Sequence, residues 1–428
     1  MVKQKSIIGY SITNLGIFLL YSFPATYLFH FFTDSVAEGG LGFSISQDFI
    51  RYLLITIGLL IGVVMAPLFG ILSDKTKYRP HVGKRRLWMI IFAPFTGFLF
   101  VMLTIPFFRE YFMTFEAATI YLITIYSIYS VVINAFNTPY MGLMADITTP
   151  ESRIKMSGMY NLLGGVGTGL GLLLPGLIHG LTNSWILVTV VYAIIVMGTS
   201  IVTIITIKED PKIVDETEAE VKIPFKEVLK DKKFLIFESA QFLWNLAFNL
   251  VLASLPAIAA SVFGLAESEQ FGYVMVILLL ILGVFFFIYL NKGEKWGKQR
   301  TMTIALIYMG IVFPFGSLIY FTRVFGFVLI QGLIFVTLVA AGLAAIFVFP
   351  MSILMDIIKK KQEASYMGTN MIFMNTSGAI GTLIMSLVTW FFAGDAFFVI
   401  APLLGICVLI AGLIFKFYPL YDKSEKND

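Results

Sequence analysis

Apolar residues along this chain come in long unbroken blocks, separated by short polar segments, with none of the alternation that marks a half-buried strand. The pattern predicts twelve blocks, at 7–32, 49–72, 87–108, 117–144, 154–180, 184–207, 234–263, 271–290, 301–322, 325–355, 365–392 and 397–418. Each is about 20 residues or more, enough for a helix to cross a hydrocarbon core of about 30 Å. Barrel strands need only about 9 to 11 residues. Backbone groups in lipid must be satisfied within the segment, so blocks of this length predict helices. The expected architecture is all-α, with twelve transmembrane helices.

Composition sharpens the picture. Of the 428 residues, 58% are hydrophobic and 13% charged, where a soluble domain carries about 25% charge. With the N-terminus placed inside, all of the 30 Lys and Arg except Arg51, Arg109 and Arg323 fall on the cytoplasmic side, which predicts cytoplasmic N- and C-termini by the positive-inside rule and a multi-pass protein of the cell membrane. The cations sit in short loops and form no continuous stripe, so a nucleic-acid partner is not expected. One cysteine, Cys407, supports neither a disulfide framework nor a cysteine metal site, and His30, His81 and His179 are scattered along the chain. No metal and no cofactor are expected. The first block has no A-x-A-like cleavage site and reads as a span, not a signal peptide.

The longest polar stretch, 208–233, carries both charge signs with Pro211 and Pro224 and falls at the chain's midpoint. It divides an N-terminal six-span bundle (1–207) from a C-terminal one (234–428). Two motifs recur across that divide. Gly83-Lys-Arg-Arg86 between spans 2 and 3 is matched by Gly297-Lys-Gln-Arg300 between spans 8 and 9. Asp146, at the end of span 4, is matched by Asp356 at the end of span 10. Two matches at nearly the same separation predict a parallel duplication with an axis along the membrane normal.

Several segments resemble a known superfamily. Gly70-Ile-Leu-Ser-Asp74 followed by Gly83-Lys-Arg-Arg86 is similar to the loop 2–3 signature of major facilitator transporters. The intervening Lys75 to Val82 insertion, Phe31-Phe-Thr-Asp34, Asn137-Thr-Pro-Tyr140 and Asp146-Ile-Thr-Thr-Pro-Glu-Ser-Arg153 resemble the glycoside-pentoside-hexuronide:cation symporters, relatives of melibiose permease, and the sucrose symporters. The resemblance implies two pseudo-symmetric six-helix bundles, a small-molecule substrate, a co-transported proton or cation, alternating access and function as a monomer. Where cation-coupled members show D-x-x-x-D-P-x-x-G, this chain has Gly62-Val-Val-Met-Ala66-Pro67-Leu-Phe-Gly70, so both acids are missing. Asn137 stands where the family often has an acid, and Asn161 where it has a sugar-binding Arg. A neutral substrate fits this set better than a charged one.

Loop chemistry points to a conformational latch: Asp74 facing Lys84, Arg85 and Arg86 can hold two helices together in one state and release them in another, with Asp146, Arg153 and Asp356 as further gating candidates. The set at 297–300 has no counterpart of Asp74. Positive-inside bias alone is the competing explanation for the cations.

Polar residues inside spans are costly unless they face a cavity or a partner. Span 1 offers Asn14, Tyr21 and Tyr27; span 4 offers Asn134, Asn137 and Tyr140; span 5 offers Asn161; span 11 offers Asn370 and Asn375. Span 7 places Glu238, Gln241, Asn245 and Asn249 at steps of three and four on one helix face, with Trp244 beside it. These are the substrate-binding candidates, except Glu238, which is the coupling candidate: a carboxyl able to carry a proton. Two bland alternatives stay open, namely asparagines that only join helices and a Glu238 that only reaches water or Lys232.

Other motifs lead nowhere chemical. The glycines of 164–171 lie within a span with no preceding strand, and their 165/169 and 167/171 spacings suit close helix packing. No G-x-x-x-x-G-K-[ST] or H-E-x-x-H sequence occurs, so neither ATP-driven pumping nor an enzyme with a catalytic cluster is expected. The expected function is secondary transport of a small neutral solute, a sugar or glycoside first. A carrier of lipid-like compounds and a non-transporting membrane sensor are the alternatives.

Overall fold

A computed structural model describes residues 4–43, 47–104, 114–148, 150–209, 228–263, 268–322, 328–358, 363–392 and 395–421. Within them lie fourteen α-helices: α1 (Gln4–Thr26), α2 (Leu28–Thr33), α3 (Gln47–Asp74), α4 (Arg85–Met102), α5 (Phe115–Ile147), α6 (Pro150–Thr182), α7 (Trp185–Thr206), α8 (Lys232–Phe263), α9 (Ser268–Trp296), α10 (Lys298–Thr322), α11 (Val328–Val348), α12 (Pro350–Ile357), α13 (Glu363–Phe392) and α14 (Ala396–Phe417). Eleven stretches among the described residues are long and apolar enough to cross a membrane. The eighth expected span is α9, whose described apolar part is the shorter Leu280–Gly293. The chain separates into two compact units, Met1–Glu220 and Val221–Asp428.

Two expected spans are not single helices, and a proline lies close to each break. The first is interrupted at Tyr27, three residues after Pro24, where the backbone turns out of helical geometry before α2 resumes. The tenth is kinked where Phe349 precedes Pro350, which cannot donate to the helix ladder. Elsewhere the described apolar runs fold as single helices, and Pro67, Pro94, Pro139, Pro175, Pro314 and Pro402 each lie inside one without dividing it.

In the first unit α1 lies against α6 and α7. Small residues permit that approach: a Cβ on Gly164 would meet Asn14 and Phe18, on Gly167 the Leu15 carbonyl, and on Gly171 the Ser22 hydroxyl. Gly165 faces open space. The 167/171 spacing therefore packs the helices, joined by Gly164 in place of Gly165. Tyr10 and Tyr140 tie α1 to α5 reciprocally, each hydroxyl donating to the other's carbonyl at 3.0 and 2.9 Å with rings stacked at 4.7 Å.

Two of the histidines that are scattered in sequence meet in space. His30 and His179 both stack on Trp185, at 5.8 and 4.1 Å, and Trp185 Nε1 donates to Asp34 at 3.0 Å. The tertiary fold brings the ends of α1, α2, α6 and α7 to one place.

Glycine marks the recurring loop in both units. Gly83 and Gly297 have φ of 88° and 83°, the left-handed region that L side chains avoid. Each immediately precedes the basic stretch that starts α4 or α10, so the sequence repeat is also a repeat of backbone conformation.

Candidate functional site

The second unit concentrates its chemistry on α8. Glu238 is fully buried, and Asn370 Nδ2 of α13 donates to its Oε1 at 2.9 Å. Its Oε2 is buried with no hydrogen-bond partner, as is Oε1 of Gln241 one turn further along. Both orphans are acceptors in an apolar setting, where an unmet polar atom costs about 1–3 kcal/mol. Glu238 thus reaches neither water nor Lys232, which is exposed. The same stripe continues through Asn245, whose amide donates to Met374 O at 2.8 Å and Ser377 Oγ at 2.7 Å, and Asn249, which donates to Asn245 O at 2.8 Å. Asn245 therefore joins α8 to α13. Trp244 is buried between Phe237 and Phe415, with centroids 5.8 and 5.5 Å away, in aromatic packing against α14. Asn375 is half-buried on α13.

The first unit spends most of its candidate residues on internal bonds. Asn14 donates to Tyr160 O at 2.8 Å, Tyr27 to Leu172 O at 2.6 Å, Tyr140 to Tyr10 O, and Asn134 to Ser130 O at 2.7 Å. Asn161 is half-buried on α6. One pair is more open. Asn137 Nδ2 donates to the Tyr21 hydroxyl at 3.2 Å, Tyr21 is 41% exposed, and Asn137 Oδ1 is left without a partner, as is Asn14 Oδ1.

At the loop end, Arg85 Nε donates to Asp146 Oδ2 at 3.1 Å and its Nη1 to Ser73 Oγ, so one guanidinium joins α3, α4 and α5. The side chains of Asp74 and Arg153 lie outside the described residues. The acid that meets Arg85 is thus the one whose sequence match is Asp356, and Asp356 also meets a cation in the second unit: Lys298 Nζ donates to it at 2.8 Å. Lys84 is buried and Arg86 half-buried beside this pair.

Sequence reading missed three residues here. Glu209, just past α7, accepts from the backbone N–H of Lys84, Arg85 and Arg86 at 2.7, 3.1 and 2.9 Å. Gln299 donates to the carbonyls of Phe415 and Tyr418 and accepts from Leu420 N. Tyr421 donates to Asp356 Oδ2 at 2.8 Å. Each partner lies more than 60 residues from the group it bonds, and no local spacing announces such a pairing.

Residues 9–395 match the family described as MFS/sugar transport protein. The chain belongs to that family. It is a transporter and not an enzyme, and its many apolar helices make it a multi-pass membrane protein. The transporter is also similar to the isoprimeverose transporter of Lactiplantibacillus pentosus, 26% identical over 243 residues, which are 54% of this chain and 47% of that protein. The match thus spans about half the length of the curated relative.

Proposed function

We propose that the transporter moves a neutral sugar or glycoside across the cell membrane by alternating access, coupled to a proton carried on Glu238. The observation that carries this reading is the character of the buried amide and carboxyl groups that keep an unmet atom among the described residues: Asn14 Oδ1 and Asn137 Oδ1 in the first unit, and Gln241 Oε1 and Glu238 Oε2 in the second, are acceptors, and all but Glu238 are uncharged. A polyol supplies hydroxyl donors without bringing a charge. Family membership and the isoprimeverose relative favour the same substrate class.

Glu238 supports the proton in particular. Asn370 already serves one carboxyl oxygen, so a proton on the other gives Oε2 a hydrogen to donate, and Gln241, one turn along the same helix face, offers the acceptor. A proton there turns one unmet acceptor, Oε2, into a donor. Losing it leaves a buried charge that favours a water-exposed conformation of the site, which is how protonation biases a two-state carrier. Arg85 with Asp146, and Lys298 with Asp356, are the groups proposed to stabilise one conformation at the loop ends. The distribution of Lys and Arg supports cytoplasmic termini.

Proteoliposomes test the reading. Radiolabelled isoprimeverose should enter saturably, be competed by unlabelled sugar and accumulate under an imposed pH gradient. Glu238→Gln should keep equilibrative exchange and lose gradient-driven accumulation. Uptake that follows the pH gradient in Glu238→Gln would overturn the coupling role, and leaflet exchange of a lipid with no sugar uptake would overturn the substrate class.

A further inference from the structure

We infer that Glu209 is a positioning residue for the Arg85–Asp146 latch: its carboxylate fixes the first turn of α4 so that the guanidinium can reach α3 and α5. The inference rests on the latch reading above and on geometry that reading does not use. Glu209 is buried, and its two oxygens take three consecutive backbone N–H groups, Oε2 from Lys84 and Arg85 and Oε1 from Arg86. These are orphan donors of the helix start, which an N-cap side chain normally serves. Lys84, at the N-cap, has no acceptor in its side chain and makes no such bond. The cap is supplied instead from beyond α7.

Two further contacts show how closely the carboxylate is seated. Tyr78 donates to the Glu209 carbonyl at 3.4 Å. A Cβ on Gly83 would collide with the carboxylate, and Gly83 already has φ of 88°. The residue directly after the capped position is Arg85, so the same turn that Glu209 holds aims the guanidinium at Asp146 and Ser73. The carboxylate also sits at the positive end of α4, where a negative charge is favoured. Without it, the turn has three unmet donors and Arg85 loses its fixed direction.

Arginine footprinting reads this directly. The purified transporter is treated with phenylglyoxal, and modification of Arg85 is measured by mass spectrometry on the folded, monodisperse fraction. Glu209→Gln keeps the size but removes one acceptor and places an amide donor against backbone donors, and is expected to raise Arg85 modification about tenfold, the scale of losing a charged hydrogen bond. Glu209→Asp, shorter but still an acid, is expected to give about threefold and stands in if Glu209→Gln yields no folded protein. The double variant Glu209→Gln with Asp146→Asn should label Arg85 no more than the larger of its two singles, because both act through one guanidinium. Arg85 as protected as in the wild type in either single variant, or effects that multiply in the double, would overturn the inference. Counterflow of radiolabelled isoprimeverose separates the two layers. Slower exchange with exposed Arg85 supports both, whereas unchanged exchange with exposed Arg85 leaves Glu209 as the positioning residue and removes the latch.

Discussion

Arg85 and Lys298 each lie in the first turn of a helix that follows a left-handed glycine, and each reaches an acid at the end of a neighbouring helix, yet the two units put very different environments around the pair. In the first unit Arg85 and Asp146 are 7% and 9% exposed, and the guanidinium also bonds Ser73. In the second, Lys298 and Asp356 are 18% and 36% exposed, and the acid shares its oxygen with Tyr421. The closures are reversed as well. A side chain beyond α7 bonds the backbone at the start of α4 in the first unit, whereas a side chain at the start of α10, Gln299, bonds the backbone at the end of α14 and just past it in the second. The two units thus share an acid at the matched position and differ in the cation that meets it, Arg85 two residues past Gly83 and Lys298 one past Gly297, and the buried pair depends on its partners far more than the screened one.

Breaking the buried pair is the largest expected effect. Asp146→Asn strands the Arg85 guanidinium in a buried site and should cost about 3–5 kcal/mol, read as a lower thermal unfolding midpoint in detergent. A loss no greater than that of Asp356→Asn would dissolve the contrast. The glycines come next. Gly297→Ala meets nothing nearer than Arg300 Cβ at 3.9 Å, so only the left-handed backbone is penalised, by roughly 1–2 kcal/mol. Gly83→Ala carries the same penalty and must also displace the Glu209 carboxylate, adding about 1.5–3 kcal/mol; equal midpoints for the two variants would show that Glu209 holds nothing. The smallest effect is at the exposed pair. Lys298→Ala should cost about 0–1 kcal/mol, and the difference from wild type should shrink further in 1 M salt.

Asymmetry also runs through the membrane-spanning polar residues. The first unit uses Asn14, Tyr27 and Tyr140 to tie helices together and leaves the Asn137–Tyr21 pair accessible. The second holds an acid, Glu238, in a half-satisfied cluster with Asn370 and Gln241. Span periodicity placed Glu238, Gln241, Asn245 and Asn249 on one face, and that much was legible. Their division of labour was not. Asn245 bonds α13 and Trp244 enters an aromatic cluster with Phe237 and Phe415, because what a polar or aromatic side chain does in lipid depends on which neighbour faces it. His30 and His179 illustrate the same limit, being 149 residues apart in the chain and stacked on one indole.

Hydrophobic run length determined the helical class and the membrane setting, since both follow from how a backbone must satisfy itself in lipid. Only the tertiary structure decided that Arg85 meets Asp146, that Glu209 caps a helix more than 120 residues before it, and that Glu238 is buried beside Asn370. Solvent preference is a property of each segment and is written locally. A hydrogen bond between distant segments exists only once packing has brought them together.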